Sequence, residues 1–219
     1  MRVSTLVIWA CLVASRISDV YAQETLQAPA SFQAIGDRAQ RARAIFTELG
    51  KVLTHPRCMN CHPAGDQPLQ GVKNESHYPP ARRASDNVSG EACSTCHTDR
   101  NFTVPAPTTF QSIPGHPRWD LAPRSMAWEG KSLGEICRQI KDQNRNGGRD
   151  LALLQEHIAK DDLVAWGWDP GIGRESAPGS QELAGQLTQA WINSGRMPVN
   201  ISPGVIHQLS VMPAKRSRK

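Results

Sequence analysis

The sequence predicts a mainly α, loop-rich single domain, and three observations carry that expectation. Apolar residues recur at helical spacing in one stretch near the start of the chain and in several short stretches of its second half. Between them, two long stretches are broken by Pro and Gly and show no sustained period. Set into this pattern are Cys58-Met59-Asn60-Cys61-His62 and Cys93-Ser94-Thr95-Cys96-His97, each of the form C-x-x-C-H.

The chemistry of that motif explains its spacing. Two thiols three positions apart reach the two vinyl groups on one edge of a porphyrin and form thioether bonds, and the following His sets an imidazole under the iron. Cys58, Cys61, His62, Cys93, Cys96 and His97 are therefore expected to hold two covalently bound c-type haems, with His62 and His97 as the proximal iron ligands. The fold expectation narrows to a cytochrome c-like single domain, because the motifs are too close in sequence for two independent cytochrome domains. Two other readings fit the cysteines alone. Four thiols in two pairs suit a structural zinc site, which leaves both histidines unexplained. Two dithiols suit an exported redox protein, but the βαβ pattern that usually frames such a motif is missing.

The start of the chain sets the compartment. After Met1-Arg2 an uncharged, mostly apolar run extends from Val3 to Ala14, too short to span a bilayer, and Val20-Tyr21-Ala22 has small residues where a signal peptidase reads. Residues 1–22 are expected to be a cleaved signal peptide, 23–205 the dihaem domain, and 206–219 a basic, disordered tail. The expected location is the periplasm. No later stretch is long and apolar enough for a transmembrane segment. The formal charge is +5, and haem propionates would offset much of it, so the basic balance does not point to nucleic acid.

The elements follow in order. Ile35, Ala39, Ala42, Phe46, Leu49 and Leu53 mark an amphipathic helix that starts near Gly36-Asp37 and ends before His55-Pro56. Residues 63–92 and 98–123, studded with Pro and Gly, are expected to be loops that pack on haem faces. Ser132-Leu133-Gly134-Glu135 reads as a capping box before Ile136, Cys137 and Ile140. Cys137, the odd thiol, is expected to be a buried, inert apolar residue. Asn146-Gly147-Gly148 ends that segment, and Asp150 can cap a helix from Leu151 to Lys160 with Leu151, Leu154 and Ile158 inward. Asp161 can cap a short turn through Leu163, Val164 and Trp166. The indoles of Trp166-Gly167-Trp168 are expected to cover apolar surface. Ser180 can cap a last helix, with Leu183, Leu187, Ala190 and Trp191 inward and Gly195 closing it.

The sixth iron ligands are open to several residues. His55, just upstream of the first motif, and His77, in the Pro-flanked loop between the motifs, are the leading candidates. Met126 and His157 stand behind them; His116, His207, Met197 and Met212 are also present. Two saturated irons suit electron transfer, whereas an open iron would permit chemistry on small molecules.

From about Leu53 to Gly195 the sequence resembles a family of small exported dihaem proteins labelled isoquinoline 1-oxidoreductase subunit. The matching stretches are His55-Pro56-Arg57-Cys58-Met59-Asn60-Cys61-His62-Pro63, Leu121-Ala122-Pro123, Met126-Ala127-Trp128, Glu135-Ile136-Cys137-Arg138-Gln139-Ile140-Lys141-Asp142, Asn146-Gly147-Gly148 and Trp166-Gly167-Trp168. Before Leu121-Ala122-Pro123, where the family pattern would carry His, this chain has Asp120. The resemblance implies a redox donor enzyme, a periplasmic molybdenum hydroxylase, with electrons passed on to a downstream acceptor in the respiratory chain. The expected function is thus a single-electron carrier rather than an enzyme; the rival is a haem enzyme of dihaem peroxidase type, for which the chain is short.

Overall fold

The computed structural model describes residues 25–83, 93–105 and 112–196. The expected signal peptide and basic tail lie outside the described residues, as do His207, Met197 and Met212. Six helices dominate what is described: α1 (Arg38–Leu53), α2 (Pro56–Met59), α3 (Leu133–Lys141), α4 (Leu151–Lys160), α5 (Asp162–Ala165) and α6 (Gln181–Asn193). Two antiparallel hairpins of two-residue strands complete it, β1 (Leu69–Gln70) with β2 (Glu75–Ser76), and β3 (Phe102–Thr103) with β4 (Ser112–Ile113).

Caps written into the sequence set the helix ends. Asp37 accepts from the Gln40 amide at the start of α1, Asp150 from Leu153 at α4, Asp161 from Leu163 and Val164 at α5, and Ser180 from Leu183 at α6. At α3 the reciprocal box is complete, since Ser132 and Glu135 each bond the other's backbone N–H. Glycine ends α6: Gly195 has φ of 100°, a conformation costly for a residue with a Cβ. One turn departs from the pattern, because α3 stops at Lys141 and the chain turns through Asp142–Arg145 before reaching Gly147 and Gly148.

The core forms where α6 packs against both α1 and α4. Ile45, Phe46, Leu49, Val52 and Leu53 of α1 meet Ala184, Leu187 and Trp191 of α6, and the Phe46 and Trp191 rings lie 4.8 Å apart. Cys137 is fully buried there, beside Ile136 and Ile140. Its thiol is pushed up to about 11 by burial, with Lys141 and Arg138 opposing the rise, which suits an inert apolar role.

The described part of the stretch between the motifs, residues 63–83, holds a hairpin that punctuation alone does not announce. Gly71 (φ 71°) and Asn74 (φ 52°) turn the chain tightly enough for Leu69 to face Ser76 and for Gln70 to face Glu75. Pro56 at the first helical position and His55 as cap start α2, a single turn too short to leave a periodic signal.

Close approach of α4 and α6 rests on Gly185. A methyl group there would meet Ala159 Cβ at 2.4 Å and Cα at 2.9 Å. Alanine raises helix propensity by at most about 1 kcal/mol, whereas overpacking against backbone costs about 1–3 kcal/mol. Gly185→Ala is therefore expected to lower stability in urea titration. Gly36→Ala, with nothing within 4 Å of the new methyl, should change it by less than about 0.5 kcal/mol.

Candidate functional site

The first C-x-x-C-H occupies α2 and the turn that follows. His55 begins the turn by accepting the Arg57 amide on its Nδ1 at 3.2 Å. Cys61 N–H then donates to the Cys58 carbonyl and His62 N–H to that of Met59. A compact turn therefore carries both thiols and the imidazole on one wall of a cavity of about 290 Å3. The C-terminal end of α1 (Val52, Leu53) supplies a second wall, and Ile140, Leu154, Ile158 and Trp166 close it with apolar surface.

A belt of chain, residues 119–129, wraps this motif. The Ala122 amide donates to the Cys61 carbonyl at 3.0 Å, and the Trp128 and Glu129 amides both donate to the His62 carbonyl. Glu129 Oε2 accepts from the Ala64 amide at 2.8 Å. The belt is pinned from outside by Arg83, whose guanidinium donates to the Ala122 and Gly65 carbonyls and lies 3.6 Å from Asp66. The Trp128 indole stacks on the His62 ring, centroids 3.5 Å apart and planes within 5°.

The belt also sets the tautomer of His62. Its Nδ1 lies 2.7 Å from the Met126 carbonyl oxygen. A carbonyl can only accept, so the proton is on Nδ1 and the Nε2 lone pair is free. Burial holds the ring well below the usual histidine range, at about 4, with His157 and Arg83 adding to the fall and the Met126 carbonyl opposing it. The imidazole is therefore neutral at physiological pH, the state that a metal requires.

The second motif repeats this arrangement on a different support. His97 N–H donates to the Cys93 carbonyl at 2.8 Å, and its Nδ1 lies 2.7 Å from the Pro114 carbonyl oxygen. Burial again lowers its pKa, with the Pro114 carbonyl opposing the fall. Pro114 follows β4, and the hairpin is tied to the segment after α5: Asn101 donates to the Asp169 carbonyl, Ser112 to that of Ile172, and Arg174 to that of Ser112. Trp119 stacks on His97 at 4.7 Å, as Trp128 does on His62.

The two motifs adjoin. Trp119 meets Trp166 edge-on at 5.0 Å, and Trp166 lies on the wall of the first cavity under the Arg57 guanidinium at 5.7 Å. Burial raises the pKa of Cys61 and of Cys93, and Asp120, in the belt, adds to the rise at both. Buried donors on the cavity wall lack partners: Arg57 Nη1, Trp128 Nε1 and Trp166 Nε1 make no hydrogen bond. Such groups fit a ligand that carries acceptor atoms.

The candidate sixth ligands separate in space. Met126 and His157 line the first cavity together with Cys58, Cys61 and His62. His77 stands near the second motif, its ring centroid 5.9 Å from that of His97. His55, beside the first motif, uses its Nδ1 as a helix cap. Sequence reasoning gave no role to Trp119, Trp128 or Arg57, because they lie in segments with no periodicity, and only the three-dimensional wrap brings them to the motifs. No family model, curated protein or solved structure matches the chain.

The thiols bear on the redox-dithiol and zinc readings. Burial pushes Cys58 up to about 12, with Cys61 adding to the rise and Arg57 opposing it; burial also takes Cys61 up to about 11 and raises Cys93. Redox C-x-x-C motifs need the opposite shift. Among the described residues, no group of three or more His, Cys, Asp or Glu is arranged to hold a metal ion. A raised pKa leaves less thiolate at pH 8. In the chain made without haem ligation, iodoacetamide is therefore expected to alkylate exposed Cys96 at least about tenfold faster than Cys58 or Cys61, as read by peptide mass spectrometry.

Proposed function

We propose that the chain is an exported, periplasmic dihaem c-type cytochrome that relays single electrons. The observation that carries this reading is a repeated one. Each C-x-x-C-H motif ends in a neutral histidine whose Nδ1 proton is held by a backbone carbonyl at 2.7 Å. That arrangement leaves Nε2 of each ring free for iron. The thiols of Cys58 and Cys61 stand on the rim of an apolar cavity with unpartnered donors, which suits a flat apolar group bearing carboxylates.

In this reading bound haem would supply one-electron chemistry between ferric and ferrous iron. The chain's residues do the rest. Cys58 and Cys61, and Cys93 and Cys96, would anchor the two groups covalently. His62 and His97 orient on their carbonyls, braced by Trp128 and Trp119. The side chains of Leu53, Ile140, Leu154 and Trp166 exclude water from the first site. The Trp119–Trp166 contact joins the two sites by packed aromatic rings rather than solvent. The resemblance to the isoquinoline 1-oxidoreductase subunit family favours a periplasmic molybdenum hydroxylase as donor and the respiratory chain as acceptor. Among the described residues no helix is long and apolar enough to cross a membrane.

Expression with a haem-ligation system should yield a chain whose mass shows two haem additions. Cys61→Ala or Cys96→Ala should weaken attachment at one site and leave the other loaded. Bound zinc without haem would overturn the reading. The loaded protein should accept electrons rapidly from a reduced molybdenum hydroxylase in stopped flow, and should consume peroxide no faster than other six-coordinate cytochromes. Efficient peroxide turnover with an electron donor would instead favour the dihaem peroxidase alternative.

A further inference from the structure

Iron binds the unprotonated nitrogen of an imidazole, and the other nitrogen of a ligating histidine almost always donates to a carbonyl or carboxylate. The position of the proton can be read wherever the partner works in one direction only, since a carbonyl or carboxylate oxygen accepts and a backbone N–H donates. The described histidines divide cleanly on this test.

Four of them carry the proton on Nδ1. His62, His97 and His77 each place Nδ1 at 2.7 Å from a carbonyl oxygen, of Met126, Pro114 and Pro79 respectively. His157 places Nδ1 at 3.2 Å from Asp161 Oδ2. All four leave the Nε2 lone pair free. The other two carry it on Nε2, because His55 and His116 each accept the backbone N–H two residues onward, from Arg57 and Arg118. In His116 that Nε2 faces Asp162 Oδ2 at 3.3 Å. His55 and His116 thus present a proton where iron would need a lone pair.

The four available rings fall into two pairs, one at each motif. His157 lines the same cavity as Cys58, Cys61 and His62. His77 lies beside His97, with ring centroids 5.9 Å apart and planes at 53°. With metal–imidazole bonds of about 2 Å, two rings that face each other across one metal have centroids roughly 6 Å apart. We propose that His157 is the distal ligand of the iron held at His62, and His77 that of the iron held at His97, an assignment that rests on the two-haem reading above.

The supports of both rings agree with ligand duty. Asp161 caps α5 through Oδ1 and turns Oδ2 to His157, so one carboxylate fixes both the helix and the ring. His77 is delivered from the first motif to the second. The amide of Leu69, at the head of the β1–β2 hairpin, donates to the Asn60 carbonyl, and past the hairpin the His77 amide donates to that of Pro68. Met126 is disfavoured at the first iron, although its side chain lines the cavity. Its carbonyl stands behind His62, which tethers the residue on the side of the ring away from the free Nε2.

The test uses the full chain loaded with haem, and it reads spin state and ligand binding rather than activity. Mass spectrometry first counts the haems; fewer than two means that the two-haem reading itself has failed. With both attached, the parent protein should be low-spin at both irons and its ferrous form should not bind carbon monoxide. His157→Ala and His77→Ala should each turn about half of the haem high-spin and open it to carbon monoxide, the double variant should convert all of it, and added imidazole should restore the low-spin spectrum. His55→Ala and His116→Ala should stay low-spin. If alanine at 157 or 77 prevents folding, His157→Met and His77→Met should give a low-spin iron with a higher potential and a methionine–iron charge-transfer band. The assignment is overturned if either alanine variant, with both haems attached, remains low-spin or is not restored by imidazole, or if the methionine variants keep bis-histidine spectra.

Discussion

The Met126 carbonyl receives the Nδ1 proton of His62, and the architecture around the first motif is arranged to bring that carbonyl there. Met126 ends a 3-10 turn, Arg124–Met126, whose own hydrogen bonds curl the belt back over the motif. On one side Ala122 bonds Cys61, on the other Trp128 and Glu129 bond His62, and Arg83 draws the whole segment inward. A neutral imidazole in water exchanges freely between two tautomers. Here one is selected by an acceptor that cannot donate, and the Trp128 ring keeps the imidazole from rotating away. Buried and neutral, the ring is prepared to give its lone pair without first losing a proton.

The second motif reaches the same end by other means. Pro114 supplies its carbonyl from just past β4, where Gly115 permits a backbone approach that no side chain would allow: a methyl there would lie 2.2 Å from the Arg100 carbonyl oxygen. Trp119 stands in the role of Trp128. Unrelated local structures converge on a carbonyl at 2.7 Å and an indole on the ring face. That convergence favours a ligand role over a structural one, because a histidine that only fills space has no need of the same tautomer twice.

Legibility of the sequence followed the range of each interaction. Caps are local: Asp37, Ser132, Asp150, Asp161 and Ser180 stand next to the helices they start, and each one reads directly. The inward faces of α1, α3 and α6 read from spacing, and Ile45 and Val52 widen the buried stripe of α1 beyond the minimal helical period. The belt could not be read, since Ala122, Met126 and Trp128 have no period and their partners, Cys61 and His62, lie some sixty positions away in the chain. The hairpins escaped for a related reason: two-residue strands are too short to show alternation. At the motifs, residue types and spacing defined the chemistry. Which histidine could oppose which depended on tautomers, and those depend on single acceptor atoms from distant loops.

Neither motif is an independent module, and this bears on electron transfer in the dihaem reading. Asn60, inside the first motif, is buried and holds the β1–β2 hairpin by two bonds, its side chain to the Gly71 carbonyl and its own carbonyl to Leu69. That hairpin presents His77 to the second motif. Trp119 of the belt stacks on His97, while the same belt, three residues on, bonds Cys61. Trp166 touches both Trp119 and Arg57, the residue before Cys58. The two histidines are thus linked through packed rings and backbone hydrogen bonds. Rigid, mutually braced centres change little in geometry when charge moves between them, which is what a relay requires. A peroxidase-type enzyme would instead need one iron open to solvent and free to gain and lose a ligand, whereas the ring pairs proposed above would saturate both irons and suit the relay.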